Sequence, residues 1–281
     1  MRKIILLLST VILLSFSTNA TAQSYLPEKV DAKGHLFIVG GGAQSEQMVQ
    51  RMLDLQPAAQ KHVVVIPFAN KDPQKAGETV RKRMMKLGAA SCSVILCEEN
   101  EVDSPRNLKM LKEANVIWFP GGSQAKLMRW MGKSELLKRV KEIYKEGGVV
   151  GGTSAGASIM GRLMPTGTEF NAPNPKNKFS RIEKGTVKTV EGFGFLENII
   201  IDQHFLARKR ANRLFSQLLS NPTQRGIGID ESTAIIVFPN SSLEVVGKSK
   251  ILIYEPLNLL NSSEAPAFNI RILSEGDRYQ F

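Results

Sequence analysis

GGVVGGTSAGASIMG, Gly147 to Gly161, decides the reading of this chain. Val149 and Val150 run into glycines, Ser154 sits among small residues, and a helix-compatible segment follows. That order is strand, sharp turn, helix. It is the repeating unit of an α/β fold, in which parallel strands are joined by crossover helices. Gly152-Thr153-Ser154-Ala155-Gly156 also fits G-x-S-x-G, a turn so tight that bulky neighbours of the serine would clash. Such a turn projects the hydroxyl and aims the following N–H groups at a developing oxyanion, with added positive partial charge from the helix start.

The same order recurs toward the N-terminus. HLFIVGGG (His35 to Gly42), HVVVIPFA (His62 to Ala69), SVILC (Ser93 to Cys97) and NVIWFPGG (Asn115 to Gly122) read as strands. Helices are expected over Gln44 to Leu55, Lys75 to Leu87, Ser104 to Glu113 and Ser134 to Glu146. Strands with so little polar alternation are buried on both faces, as in a doubly wound parallel sheet. Three strand ends, the serine turn included, carry glycines, at the edge where open α/β sheets bind ligands. Pro165 to Lys184, with three prolines and little apolar content, reads as a surface excursion beside the site. Beyond it come strand material at Asn198 to Ile201 and a helix from Ala207 to Ser220. RGIGID, TAIIVF, LEVVG and KILIYE then look antiparallel, joined by tight turns such as PNSS. No linker divides these parts, so residues 23–281 are expected to form one catalytic α/β domain with a β-rich C-terminal extension.

Residues 1–22 read as a secretory signal peptide. Arg2 and Lys3 precede an apolar run, Ile4 to Phe16, and Ala20-Thr21-Ala22 offers a small-x-small cleavage site. The run is short for a membrane span. The mature chain is expected to be exported, periplasmic or secreted, with no span after cleavage. The formal charge is +11, but the lysines and arginines are scattered without aromatic interleaving, which argues against a nucleic-acid partner. The two cysteines, Cys92 and Cys97, lie roughly 16 Å apart if extended, too far for a disulfide, so free thiols are expected. No Cys/His spacing suggests a metal site.

A serine nucleophile needs a base. Of three histidines, His35 and His62 open strands at the edge away from the proposed site, whereas His204 in IIIDQHFLARKRANRL follows an apolar strand and precedes a helix. The orienting carboxylate has three candidates: Glu231, in the acidic pair Asp230-Glu231 of GIGIDESTAIIVF, Asp202, and Glu169 in the excursion. An acid buried in apolar strands needs a partner. Arg208, Arg210 and Arg213 follow His204, either as a solvated basic helix or as a clamp for carboxylates. On a regular helix all three cannot share one face.

FPGGSQAKL, GTSAGAS, DQHF followed by R-x-R-x-x-R-L, and GIGIDE-x-TA, in that order, resemble the cyanophycinase group of family S51 serine peptidases, relatives of the aspartyl dipeptidases (dipeptidase E-like). The resemblance runs from Gly40–Gly42 to about Val237. It implies a flavodoxin-like core similar to class I glutamine amidotransferases, a homodimer, and no metal or organic cofactor. It implies Ser154 as nucleophile, His204 as base and Glu231 as third member, with Glu169 the alternative acid. It implies that Gln124, Asp202, Gln203, Arg208, Arg210 and Arg213 shape a substrate pocket, and the N–H of Ala155 with the Gly121-Gly122 turn is expected to hold the oxyanion. Family members release β-Asp-Arg from cyanophycin, so the expected partner is a peptide or a cyanophycin-like polymer. One position departs: Ser123 stands where the motif often carries an acid. The expected activity is that of a cyanophycinase-like serine exopeptidase, hydrolysing aspartyl or β-aspartyl peptides. The alternatives are a dipeptidase acting on other peptides, or an exported binding protein of the same fold without catalysis.

Overall fold

The computed structural model describes residues 32–171, 179–257 and 266–281. The segment read as a signal peptide lies outside the described residues. Strand and helix alternate from the start: β1 (His35–Val39), α1 (Glu46–Asp54), β2 (His62–Val65), α2 (Pro73–Lys86), β3 (Ser91–Val94), a 3-10 turn (Glu99–Glu101), α3 (Pro105–Met110), β4 (Val116–Phe119), α4 (Gln124–Met131), α5 (Glu135–Glu146), β5 (Val149–Thr153) and the single-turn α6 (Ala155–Ser158). The five strands lie in the order β1-β5-β4-β2-β3, each parallel to its neighbour.

Local chemistry starts these helices. Ser45, Asp72, Ser104, Ser123 and Ser134 each accept a first-turn N–H of α1 to α5 in turn. Pro73 and Pro105 stand where a helix has no N–H to lose. The central strands are largely apolar because both faces are covered, whereas β3 at the sheet edge reads Ser-Cys-Ser-Val. Phe37, Val39, Val65 and Trp118 pack with Met52 and Leu53 of α1 and Met84 of α2. Leu36, Ile38, Val64, Ile117 and Phe119 pack with Leu127 of α4 and Val140 and Ile143 of α5. The sheet is doubly wound, as expected.

The chain continues through β6 (Gly161–Glu169), β7 (Val187–Glu191), β8 (Leu196–Gln203), α7 (Ala211–Ser220), β9 (Arg225–Ile229), β10 (Thr233–Val237), β11 (Ser242–Gly247), β12 (Ile251–Pro256), β13 (Phe268–Leu273) and β14 (Arg278–Gln280). The C-terminal part is β-rich, but its strands are divided. β10, β11 and β14 extend the first sheet beyond β1, while β13-β12-β9-β8-β6-β7 form a second. RGIGID and TAIIVF are therefore not partners in a hairpin. Asp230 to Ser232 carries the chain from one sheet to the other, and Ser232 takes the left-handed conformation there, φ 54°.

Other boundaries differ too: the strand expected over Ser93 to Cys97 is Ser91–Val94, for instance. Gln124 to Met131 is a helix with no counterpart in the sequence reading; at two turns it buries only Leu127, Met131 and the first residue. The excursion expected from Pro165 starts later, because β6 runs to Glu169 and pairs with β7; its residues 172–178 lie outside the described residues. The helix expected from Ala207 begins at Ala211, since Lys209 sits at φ 52°, outside helical geometry. Cys92 is buried, Cys97 half-buried, and both are free thiols. Among the described residues no helix is long and apolar enough to cross a membrane.

Candidate active site

Ser154 follows β5 directly, at the carboxyl edge of the parallel sheet. It holds φ 55° and ψ −108°, a conformation that non-glycine residues rarely keep outside functional turns. The surrounding glycines make this possible by letting backbone approach backbone. A Cβ on Gly152 would lie 2.5 Å from the carbonyl oxygen of Gly156, and one on Gly156 would lie 2.2 Å from that of Phe119. The small residues thus serve the turn first, and clearance for the hydroxyl follows from it.

His204 and Glu231 reach the same point from the second sheet and from the connection between the sheets. His204 follows β8, is buried, and takes φ 49°. Its Nε2 lies 2.9 Å from Ser154 Oγ, and its Nδ1 contacts Glu231 Oε1. A carboxylate on Nδ1 keeps the proton there and leaves Nε2 free to accept from the serine. Burial holds the imidazole pKa below its ordinary 6.5, against the hydrogen bond to Glu231, which raises it; Arg208 and Arg210 nearby also lower it. The group is neutral near pH 7, the state a general base requires.

The glycine turn after β1 receives this pair, a role the sequence reading does not assign. A Cβ on Gly41 would fall 2.3 Å from the Cε1 of His204, and one on Gly42 2.8 Å from the Cβ of Glu231. Gly40 accepts the N–H of His204 at 2.7 Å, and Gly41 accepts that of Ser232 at 2.8 Å. The signal for this in the sequence is no more than a glycine run at a strand end. Asp230, the other member of the acidic pair, accepts two backbone N–H groups just beyond His204.

The remaining candidates separate into groups. Gln203 and Arg210 stand at the serine: Gln203 Oε1 is 3.5 Å from Ser154 Oγ, and Arg210 donates to that oxygen at 2.9 Å and to the Gln203 carbonyl at 2.8 Å. Among the described residues no carboxylate forms an ion pair with Arg210; burial first, and the charge of Arg213 second, lower its pKa to about 10. Arg208 is about half exposed, its Nε 3.8 Å from Glu231 Oε1. Both arginines precede α7, so the helical phasing that would keep three arginines off one face does not apply to them.

Asp202 and Arg213 take no place in an open pocket. They form a two-pronged ion pair, with side chains only 0% and 2% exposed, and neither can present its charge to a ligand. Gln124 is also buried and donates to the Pro165 carbonyl at 2.6 Å, tying α4 to β6. Glu169 accepts the N–H of Phe179, so Glu231 and not Glu169 is the acid on His204. Gly121 packs against the serine, since a Cβ there would lie 3.2 Å from that of Ser154. Among the described residues no acceptor takes the N–H groups of Gly121, Gly122 or Ala155. With α6 only four residues long, any stabilisation there comes from these N–H groups and little from a helix dipole.

The family model for peptidase family S51 matches residues 36–245. The cyanophycinase of Geminocystis herdmanii (strain PCC 6308) is 26% identical over 263 residues, covering 88% of this chain and 93% of that protein. The cyanophycinase of Synechococcus elongatus is 27% identical over 263 residues, 88% of this chain and 79% of that protein. The crystal structure of a peptidase from an acI-B1 actinobacterium superposes with a TM-score of 0.67 at 23% identity, over 89% of this chain and 98% of that one. At that identity the likeness speaks for the fold.

Proposed function

This chain belongs to peptidase family S51, and from that premise we propose that it is a serine peptidase hydrolysing aspartyl or β-aspartyl peptides. The observation that carries the reading is the unbroken line Ser154 Oγ, His204 Nε2, His204 Nδ1, Glu231 Oε1. Ser154 attacks the scissile carbonyl while His204 takes its proton, and Glu231 steadies the imidazolium that results. The N–H groups of Ala155 and the Gly121-Gly122 turn receive the oxyanion. His204 returns the proton to the leaving amine, and water then attacks the acyl-serine by the same route in reverse. Arg210, which forms no ion pair with a carboxylate among the described residues, and the exposed Arg208 supply positive charge for a carboxylate of the substrate.

Ser123 bears on which aspartyl peptide is taken. It is exposed and accepts Lys126 N–H at 3.2 Å, capping α4 with a neutral hydroxyl where an acid could have met a guanidinium. This favours peptides without arginine. Incubating the protein with cyanophycin, β-Asp-Arg and a panel of α- and β-aspartyl dipeptides, followed by mass spectrometry, tests the reading. Release of free aspartate or of an aspartyl product from one class supports it. Binding without any product across the panel would turn the reading to a catalytically silent binder. The segment 1–22 supports export to the periplasm or beyond, and assembly as a homodimer belongs to the same proposal.

The pH dependence follows from His204. Its depressed pKa places the acid limb of kcat/KM below pH 6.5, with activity rising as pH increases through the limb. Arg208→Gln removes a positive neighbour that lowers the imidazole pKa, so the limb moves to higher pH. A pH–rate profile of the two enzymes checks this; a limb that stays in place or moves down contradicts it.

A further inference from the structure

Asp230 is a buried carboxylate that the hydrolytic scheme does not use. Its Oδ1 accepts the N–H of Leu206 at 3.0 Å and of Ala207 at 2.9 Å, the second and third residues after His204. Its Oδ2 accepts the hydroxyl of Ser249 at 2.7 Å. Ser249, in the turn between β11 and β12, donates its N–H to Thr233 Oγ1 at 2.9 Å, and that hydroxyl donates to the Glu231 carbonyl at 3.1 Å. Three segments distant in sequence are thereby fastened behind the His204–Glu231 pair: the turn after β8, the crossing between sheets, and the β11–β12 turn.

The turn after β8 needs such a fastening. His204 and Lys209 both hold positive φ, and the helix begins only at Ala211. The N–H groups of Leu206 and Ala207 therefore lie outside any helix or sheet, and Asp230 is their acceptor. The residue is 8% exposed, and both of its carboxylate oxygens are satisfied.

We infer that Asp230, backed by Ser249, is a positioning residue that sets the imidazole of His204 against Ser154. It acts through the backbone of residues 204–207 and touches no substrate. The C-terminal β-rich part thereby gains a role in the chemistry, since it supplies Ser249 and the turn that holds it.

The inference rests on Ser154 and His204 acting as proposed, so the test separates the two. The probe is a fluorophosphonate, which phosphonylates an activated serine with loss of fluoride, and the reading is its second-order rate of attachment to the full chain. Ser154→Ala must abolish labelling; persistent labelling there overturns the catalytic reading itself. With that control in hand, Asp230→Ala is expected to label about 10- to 100-fold more slowly, because a base displaced by about 1 Å costs on that order. Asp230→Asn keeps one oxygen for both N–H groups and can donate to Ser249, so labelling is expected to recover to within about threefold of the parent rate. A merely structural role would not give this rescue in rate at equal folded fraction. Ser249→Ala, with the carboxylate retained, is expected to slow labelling by a few-fold and guards against an Asp230→Ala chain that does not fold. Parent-like labelling in both Asp230→Ala and Ser249→Ala, or no recovery in a folded Asp230→Asn, overturns the inference.

Discussion

Replacing Ser154 by alanine is expected to lower turnover by at least about 10³-fold while leaving substrate affinity within a few-fold of the parent. Among the described residues the hydroxyl meets only His204 Nε2, at 2.9 Å, and Gln203 Oε1, at 3.5 Å, so its removal takes away the proposed attacking atom and no scaffold hydrogen bond. Gln203 remains held by Arg210. The backbone amides near the carbonyl remain as well, and the residual rate should be what they and binding supply. Steady-state kinetics on the best peptide of the panel, with affinity measured separately on the inactive variant, checks both halves. Near-parent turnover in Ser154→Ala would mean that another group attacks, and the assignment of the site would fall.

The second large effect is on stability. Arg213→Ala leaves the Asp202 carboxylate, whose side chain is 0% exposed, without its counter-charge. Removing one partner of a buried pair typically costs about 3–5 kcal/mol, mostly as the penalty of the orphaned charge. For a chain of this size that corresponds to a melting temperature lower by roughly 6–20 °C. The guanidinium also lies 5.3 Å from the Phe179 ring, and the truncation strips that ring of its cation as well. Neutralising both partners, as in Asp202→Asn with Arg213→Met, is expected to recover much of the stability, because no unpaired ion is left. Thermal or urea unfolding of the single and double variants decides it. A single variant within about 1 kcal/mol of the parent would show that Asp202 finds another partner or solvent.

Much of this architecture is legible in the sequence, for a physical reason. Parallel strands covered on both faces are largely apolar, so they stand out as runs such as VVVI and VIWF. Ser154 is legible because a tight strand-to-helix turn tolerates only small residues, and His204 because it directly follows an apolar strand. The division of the C-terminal strands between two sheets is not legible, since a strand's alternation does not say which sheet it joins. The crossing at Asp230 to Ser232 depends on a left-handed Ser232, which composition does not reveal. Asp202 and Arg213 read as pocket residues because a charge in a sequence looks alike whether it meets a ligand or another side chain. Gly41 escapes notice for the converse reason. Its contribution is the space it leaves open, and only the imidazole that fills that space makes it visible.

The meeting of Gly41, Ser154, His204 and Glu231 also orders events in time. During synthesis the serine turn emerges from the ribosome before the residues of its base, and the acid follows later still. The acid-bearing crossing is seated only when β10, Thr233–Val237, has docked against β1, the first strand among the described residues. On the proposed assignment a nascent chain therefore carries an idle hydroxyl until most of the fold has been synthesised, and peptide hydrolysis starts only as a property of the finished molecule.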